Sequence, residues 1–78
     1  MNVTVKYFAN MRDQMGRAEE SVTLDGDAVT VADLWGKVAA QQALPSNILI
    51  AVNMEYTDAS RVLKSGDEVA FFPPVTGG

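Results

Sequence analysis

Neither cysteine nor histidine occurs among the 78 residues of this chain. Without them no disulfide can form, no Cys/His zinc site can be built, and no Ser-His or Cys-His pair can exist. Cations are also scarce: six Lys and Arg stand against ten Asp and Glu, for a net charge of −4. That balance argues against a nucleic-acid or anionic-membrane surface and favours a basic patch on a protein partner. No apolar run approaches transmembrane length, and the start alternates polar with apolar residues, unlike a signal peptide. There is no internal repeat, low-complexity run or linker. The acids do not gather into a metal-binding set. Glu19 and Glu20 are adjacent in a strand-like stretch and point to opposite faces, and Asp25-Gly26-Asp27 reads as a turn. No glycine-rich loop of the phosphate-cradling kind is present. A free-standing enzyme is therefore not expected. The expectation is a soluble, cytosolic protein, and the lack of cysteine fits a reducing compartment.

What is present suits one small domain. Hydrophobic residues make up 47% and charged residues 21%, a globular balance in which stability must come from packing alone. Residues 2–8 alternate with period two, Val3, Val5 and Tyr7 on the core face and Thr4, Lys6 and Phe8 on the other. Residues 9–15 read as one or two helical turns or an irregular loop ended by Gly16, with Met11 and Met15 inward and Arg12 and Asp13 exposed. Residues 20–24 alternate again, with Val22 and Leu24 inward. Thr30 and Asp33 have the spacing of a capping box. They open a helix whose apolar stripe is Val31, Leu34, Trp35, Val38 and Ala39, running to about Gln42 before Leu44-Pro45. Gly36 within it suggests close approach to the sheet. Ile48–Val52 is apolar on both faces and reads as a central strand, Asn53-Met54-Glu55 as a turn, Tyr56-Thr57 as a brief return strand, and residues 59–63 as a short helical turn. A turn at 64–67 leads to the last strand, 68–72, with Val69 and Phe71 on one face and Ala70 and Phe72 on the other. If Val69 and Phe71 meet the helix, Phe72 joins Phe8 on the uncovered face. Two aromatics left in water there suggest a docking surface, unless a loop or the 9–16 segment covers them.

The chain then runs through Pro73, Pro74, Val75 and Thr76 to Gly77 and Gly78. The prolines favour an extended polyproline path, so the tail should project from the body by as much as roughly 20 Å. The glycines carry no side chain and suit a narrow channel. The reactive group such a channel would receive is the Gly78 carboxylate. The expected division is a domain over 1–72 and an extended tail over 73–78.

The order strand, strand, helix, strand, short strand, strand is an α+β arrangement and resembles the ubiquitin-like β-grasp. That fold implies a mixed sheet of four to five strands, one main helix packed on one face, and first and last strands side by side and parallel. Three stretches carry a closer resemblance. They are Val5-Lys6-Tyr7-Phe8-Ala9-Asn10-Met11-Arg12 with Gly16, then Ala51-Val52-Asn53, and above all Gly66-Asp67-Glu68-Val69-Ala70-Phe71-Phe72-Pro73-Pro74-Val75-Thr76-Gly77-Gly78. The chain resembles the MoaD-like sulfur carriers, the small subunits of molybdopterin synthase in the MoaD/ThiS family, over almost its whole length. Its length fits a free small subunit.

The resemblance implies a mechanism. A ubiquitin-activating-type adenylyltransferase consumes ATP to convert the Gly78 carboxylate to an acyl-adenylate. A persulfide-type donor then displaces AMP and leaves a thiocarboxylate. The charged tail enters the large catalytic subunit, in what is expected to be a heterotetramer, and gives its sulfur to cyclic pyranopterin monophosphate. Pro73, Pro74, Val75, Thr76 and Gly77 insert. Phe8, Arg12 and Phe72 dock on both partners, and no cofactor is permanently bound. The carrier would itself be non-catalytic. A bare Gly-Gly end also suits thiamine-pathway sulfur delivery or a ubiquitin-like protein modifier. A β-grasp interaction module with an idle tail is the remaining reading.

Overall fold

Among the described residues, five strands and two helices follow in the order β1 (Asn2–Tyr7), α1 (Asn10–Met15), β2 (Glu19–Thr23), α2 (Val31–Val38), β3 (Leu49–Val52), β4 (Glu55–Thr57) and β5 (Glu68–Phe72). They belong to a computed structural model that describes residues 1–8, 10–26, 28–39 and 48–72. The strands make one sheet in the order β2-β1-β5-β3-β4. β1 and β5 run parallel, and every other pair is antiparallel. This is the mixed sheet of the ubiquitin-like β-grasp, with β5 in the middle, beside the first strand.

Alternation along each strand puts one apolar row on the helix side. Val3, Val5 and Tyr7 of β1, Val22 of β2, Ile50 and Val52 of β3, and Val69 and Phe71 of β5 are all buried. Val31, Leu34 and Trp35 of α2 close over them, and Met11 of α1 and Leu63 fill the margins. Phe71 is the centre of this core. Its ring meets Trp35 edge-on at 5.0 Å between centroids and lies beside the Tyr7 ring at 6.2 Å. Both arrangements suit the aromatic quadrupole. The helical stripe read from the sequence is thus core, Trp35 included.

α2 starts as its sequence dictates. The Asp33 N–H donates to Thr30 Oγ1 (3.3 Å), and the Thr30 N–H donates to Asp33 Oδ2 (3.0 Å). The earliest N–H groups of the helix, which have no partner within it, go elsewhere: Val31 N–H to the Arg61 carbonyl and Ala32 N–H to that of Ala59, both at 3.0 Å. This explains why residues 59–63 do not form the expected helical turn beyond one tight bend. Asp58 accepts from both the N–H and the hydroxyl of Ser60, and the carbonyls that follow are turned toward α2 instead of along a helix of their own. Those Ser60 bonds also hold the Asp58 carboxyl below its ordinary pKa.

Two readings of α2 need correction. The helix closes at Val38, with Ala39 at its C-cap, short of Gln42, which lies outside the described residues. The apolar stripe read from the sequence ends at Ala39, the residue that caps the helix. Gly36 does not mark close approach to the sheet: a Cβ there would meet nothing within 4 Å among the described residues.

At the ends of the sheet, turns fix the register. α1 ends on Gly16, whose φ of 75° supplies the left-handed cap. β3 and β4 are joined by a two-residue turn, with Val52 opposite Glu55. Asn53 and Met54 both have positive φ, 51° and 70°, the signature of the type I′ turn that matches strand twist. Asn53 is held from behind. Its amide donates to Asp67 Oδ1 (2.8 Å), its side-chain oxygen accepts from the Glu68 N–H (3.0 Å), and Asp67 Oδ2 takes the Lys64 N–H (2.8 Å). Asp67 is buried, and these contacts replace the water it has lost.

Candidate functional site

The face of the sheet away from α2 carries the other half of each alternation. Strand register sets Lys6 beside Ala70, Ala70 beside Ala51, and Ala51 beside Tyr56, a row crossing four strands. In the adjoining row Leu49 lies opposite Phe72, and Phe8 follows Tyr7 out of β1, its N–H bonded to the Phe71 carbonyl at 3.2 Å. Phe8 and Phe72 therefore meet. Their rings stack at 4.6 Å between centroids and 10° between planes. Phe8 remains 41% exposed and Phe72 half-buried, so the 9–16 segment does not cover them. That segment turns Met11 into the core instead.

Two alanines in the middle of the row leave a depression. It has a volume of about 380 Å³, with Ala51 and Ala70 on its floor and Phe8, Phe72, Tyr56, Met54, Lys6 and Glu68 around it. Lys6 and Glu68 face each other across β1 and β5 at 3.4 Å. That pair is partly exposed and adds little stability, but it leaves the rim with compensated charge. Tyr56 is 75% exposed, with its ring tilted toward Phe72 at 6.3 Å. Leu49 (37%) and Met54 (91%) add further exposed apolar side chains to this face.

Of the residues singled out in the sequence, Phe8 and Phe72 are brought together. Arg12 lies on the exposed side of α1, lining a second shallow depression with Lys6, Phe8 and Glu19. Among the described residues it forms no ion pair. Pro73, Pro74, Val75, Thr76, Gly77 and Gly78 lie outside the described residues, as does the 73–78 tail as a unit. Phe72, which lines the depression, is the last described residue before them. Met54, Tyr56 and Leu49 did not stand out in the sequence. Reading Asn53-Met54 as a two-residue hairpin turn would have set Tyr56 opposite Ala51 and so onto this face.

The covered face has its own polar device. The Tyr7 hydroxyl donates to Glu20 Oε2 at 2.7 Å, and Glu20 is also paired with Arg17 at 2.9 Å. Burial first, then the bond to Glu20 and its charge, push the Tyr7 phenol well above its ordinary pKa, with Arg17 opposing. Among the described residues no group of acids could hold a metal ion, and no helix is long and apolar enough to cross a membrane.

Comparison with known proteins covers the whole chain. Residues 5–78 match the ThiS family. The molybdopterin synthase sulfur carrier subunit of Chlamydomonas reinhardtii is 39% identical, with all of both chains aligned. That of Escherichia coli is also 39% identical, over 97% of this chain and 99% of its own. Among solved structures, SAMP1 from Haloferax volcanii, a small archaeal modifier protein, superposes with a TM-score of 0.84 at 29% identity over the full length of both. The chain belongs to the ThiS family of ubiquitin-like β-grasp proteins.

Proposed function

We propose that this member of the ThiS family is the sulfur carrier subunit of molybdopterin synthase. The observation that carries the reading is the end-to-end similarity, at 39% identity, to two proteins that bear that name. A free carboxylate is a poor acyl donor, so Gly78 must first be activated. Its oxygen attacks the α-phosphorus of ATP in a ubiquitin-activating-type adenylyltransferase, and pyrophosphate leaves. The terminal sulfur of a persulfide-type donor then displaces AMP to give an acyl disulfide. A thiol attacks the donor's sulfur, forming a new disulfide there and releasing a Gly78 thiocarboxylate that donates to cyclic pyranopterin monophosphate in the large subunit. The ATP site and the catalytic groups belong to the partners. This chain supplies the acyl group, the arm over 73–78 and the surface that aims it. Pro73 and Pro74 stiffen the arm, while Val75, Thr76 and the side-chain-free Gly77 enter the channel.

The apolar face supports this division of labour. The stacked Phe8 and Phe72 rings stand where β5 ends and the arm begins, so a partner seated on them would receive the tail in a fixed place. Arg12, at the edge, would meet a carboxylate of that partner. One surface would serve the adenylyltransferase and the large subunit in turn, making their binding mutually exclusive.

Intact mass tests the chemistry. Incubation with the activating enzyme, ATP and a sulfur donor should add about 16 Da, the exchange of oxygen for sulfur after carboxyl activation. No gain would overturn the carrier reading. Extending the chain by one residue beyond Gly78 should abolish the gain and leave folding intact.

The close superposition on a small archaeal modifier protein favours a second reading, in which activated Gly78 is joined to an amine of another protein. Carboxyl activation is common to both readings. Reconstituted molybdopterin formation with the large subunit marks the carrier, whereas covalent adducts of this chain on other proteins mark the modifier.

A further inference from the structure

Met54 stands in a backbone conformation that its side chain disfavours. Its φ is 70°, in the left-handed region where L-residues other than glycine and asparagine or aspartate are uncommon. It occupies the second position of a type I′ turn, which glycine fills best. The first position is secured independently by the three Asn53 hydrogen bonds to Asp67 and Glu68, so the turn would form with glycine in place of Met54. The methionine gives the fold nothing in return, being 91% exposed. Its side chain instead forms part of the wall of the depression over Ala51 and Ala70, at the end away from the Phe8–Phe72 stack.

We propose that Met54 is a specificity-determining residue of the docking face, a flexible apolar wall that closes on an uncharged, apolar side chain of the synthase large subunit seated over Ala51 and Ala70. This rests on the sulfur-carrier reading and goes beyond it. The chemistry of the occupant follows from the lining. The floor is two methyl groups, the walls are aromatic or thioether, and the two charges on the rim neutralise each other at 3.4 Å. A charged side chain would lose its water there with no counter-charge left to meet it. A thioether chain adapts to the shape of an apolar guest, and backbone strain kept at an exposed position is characteristic of sites where function outweighs stability.

The test measures two properties of the same variants: urea unfolding, and calorimetric binding to the purified large subunit of molybdopterin synthase from the same organism. Met54→Gly should raise the folding equilibrium constant roughly five- to tenfold by removing the left-handed penalty. The same change should weaken binding about tenfold, as loss of an interface anchor does. Met54→Leu, apolar but equally strained, should bind within about threefold of the parent, since apolar contact is retained, and gain no stability. If Met54→Gly binds as well as the parent, the assignment fails while parental binding keeps the carrier reading in place. If Met54→Leu binds as weakly as Met54→Gly, apolar contact is not what Met54 supplies, and the proposal also falls. No binding by the parent chain overturns both.

Discussion

Phe71 and Phe72 are adjacent in one strand and share nothing else. Phe71 is fully enclosed between Trp35 and Tyr7. Phe72 points the other way, half in water, stacked on a ring that is itself exposed. The same contrast runs through the sheet. The side under α2 is continuous, branched and dry, whereas the other side is a patchwork of rings, two alanines and one compensated ion pair. Because side chains alternate strictly along a strand, one stretch of five residues can serve stability with its odd members and recognition with its even ones. Neither task need compromise the other.

Substitutions on the two faces should therefore differ in kind. The largest effect belongs to Phe71→Ala. Emptying the centre of the core should cost about 3–5 kcal/mol, most of the stability a domain of this size has, and urea denaturation should show a chain largely unfolded. Phe72→Ala should lose well under half of that in stability yet weaken binding of the large subunit by about 2 kcal/mol, the scale of an aromatic interface anchor. A large stability loss with unchanged affinity would place Phe72 with the core and erase the contrast. Gly36→Ala sharpens the comparison from outside the sheet. With no described residue within 4 Å of where its Cβ would go, it should stabilise α2 by about 1 kcal/mol and leave affinity unchanged. Tyr7→Phe should do least at neutral pH. An unfolded tyrosine titrates near pH 10, but folding holds the Tyr7 phenol protonated beyond that value. The stability this gives is complete below about pH 10 and is lost as pH rises through the folded-state value. Tyr7→Phe should flatten that alkaline decline, as measured by thermal unfolding in a pH series.

Much of this was legible in the chain. Period-two patterning separated Val3, Val5 and Tyr7 from Phe8, and Phe71 from Phe72, without any knowledge of partners. Thr30 and Asp33 announced the start of α2, because a capping box is a local bond pattern. What was not legible depends on strands meeting across long stretches of sequence. The Tyr7–Glu20 bond and the Asp67–Asn53 contact join residues 13 and 14 positions apart, and only pairing brings them together. Tyr56 and Met54 reach the exposed apolar face through a turn type that Asn-Met does not advertise as Asn-Gly would. Gly36 was misread because a glycine in a helix has two explanations, crowding or indifference, and only surrounding atoms decide between them. Gly77 and Gly78, to which the proposed chemistry is assigned, were read through resemblance rather than through folding, and they lie outside the described residues.

The parallel pairing of β1 with β5 has a mechanical consequence. The C-terminal end of β5 precedes residues 73–78, while the N-terminal end of β1 lies at the opposite end of the strand pair. Tension on the C-terminal end of β5 against the N-terminal end of β1 therefore loads the bonds between these strands together, in shear, instead of peeling them off one at a time. If the 73–78 segment enters other proteins as proposed, it is fastened at the strand where a pull is best resisted.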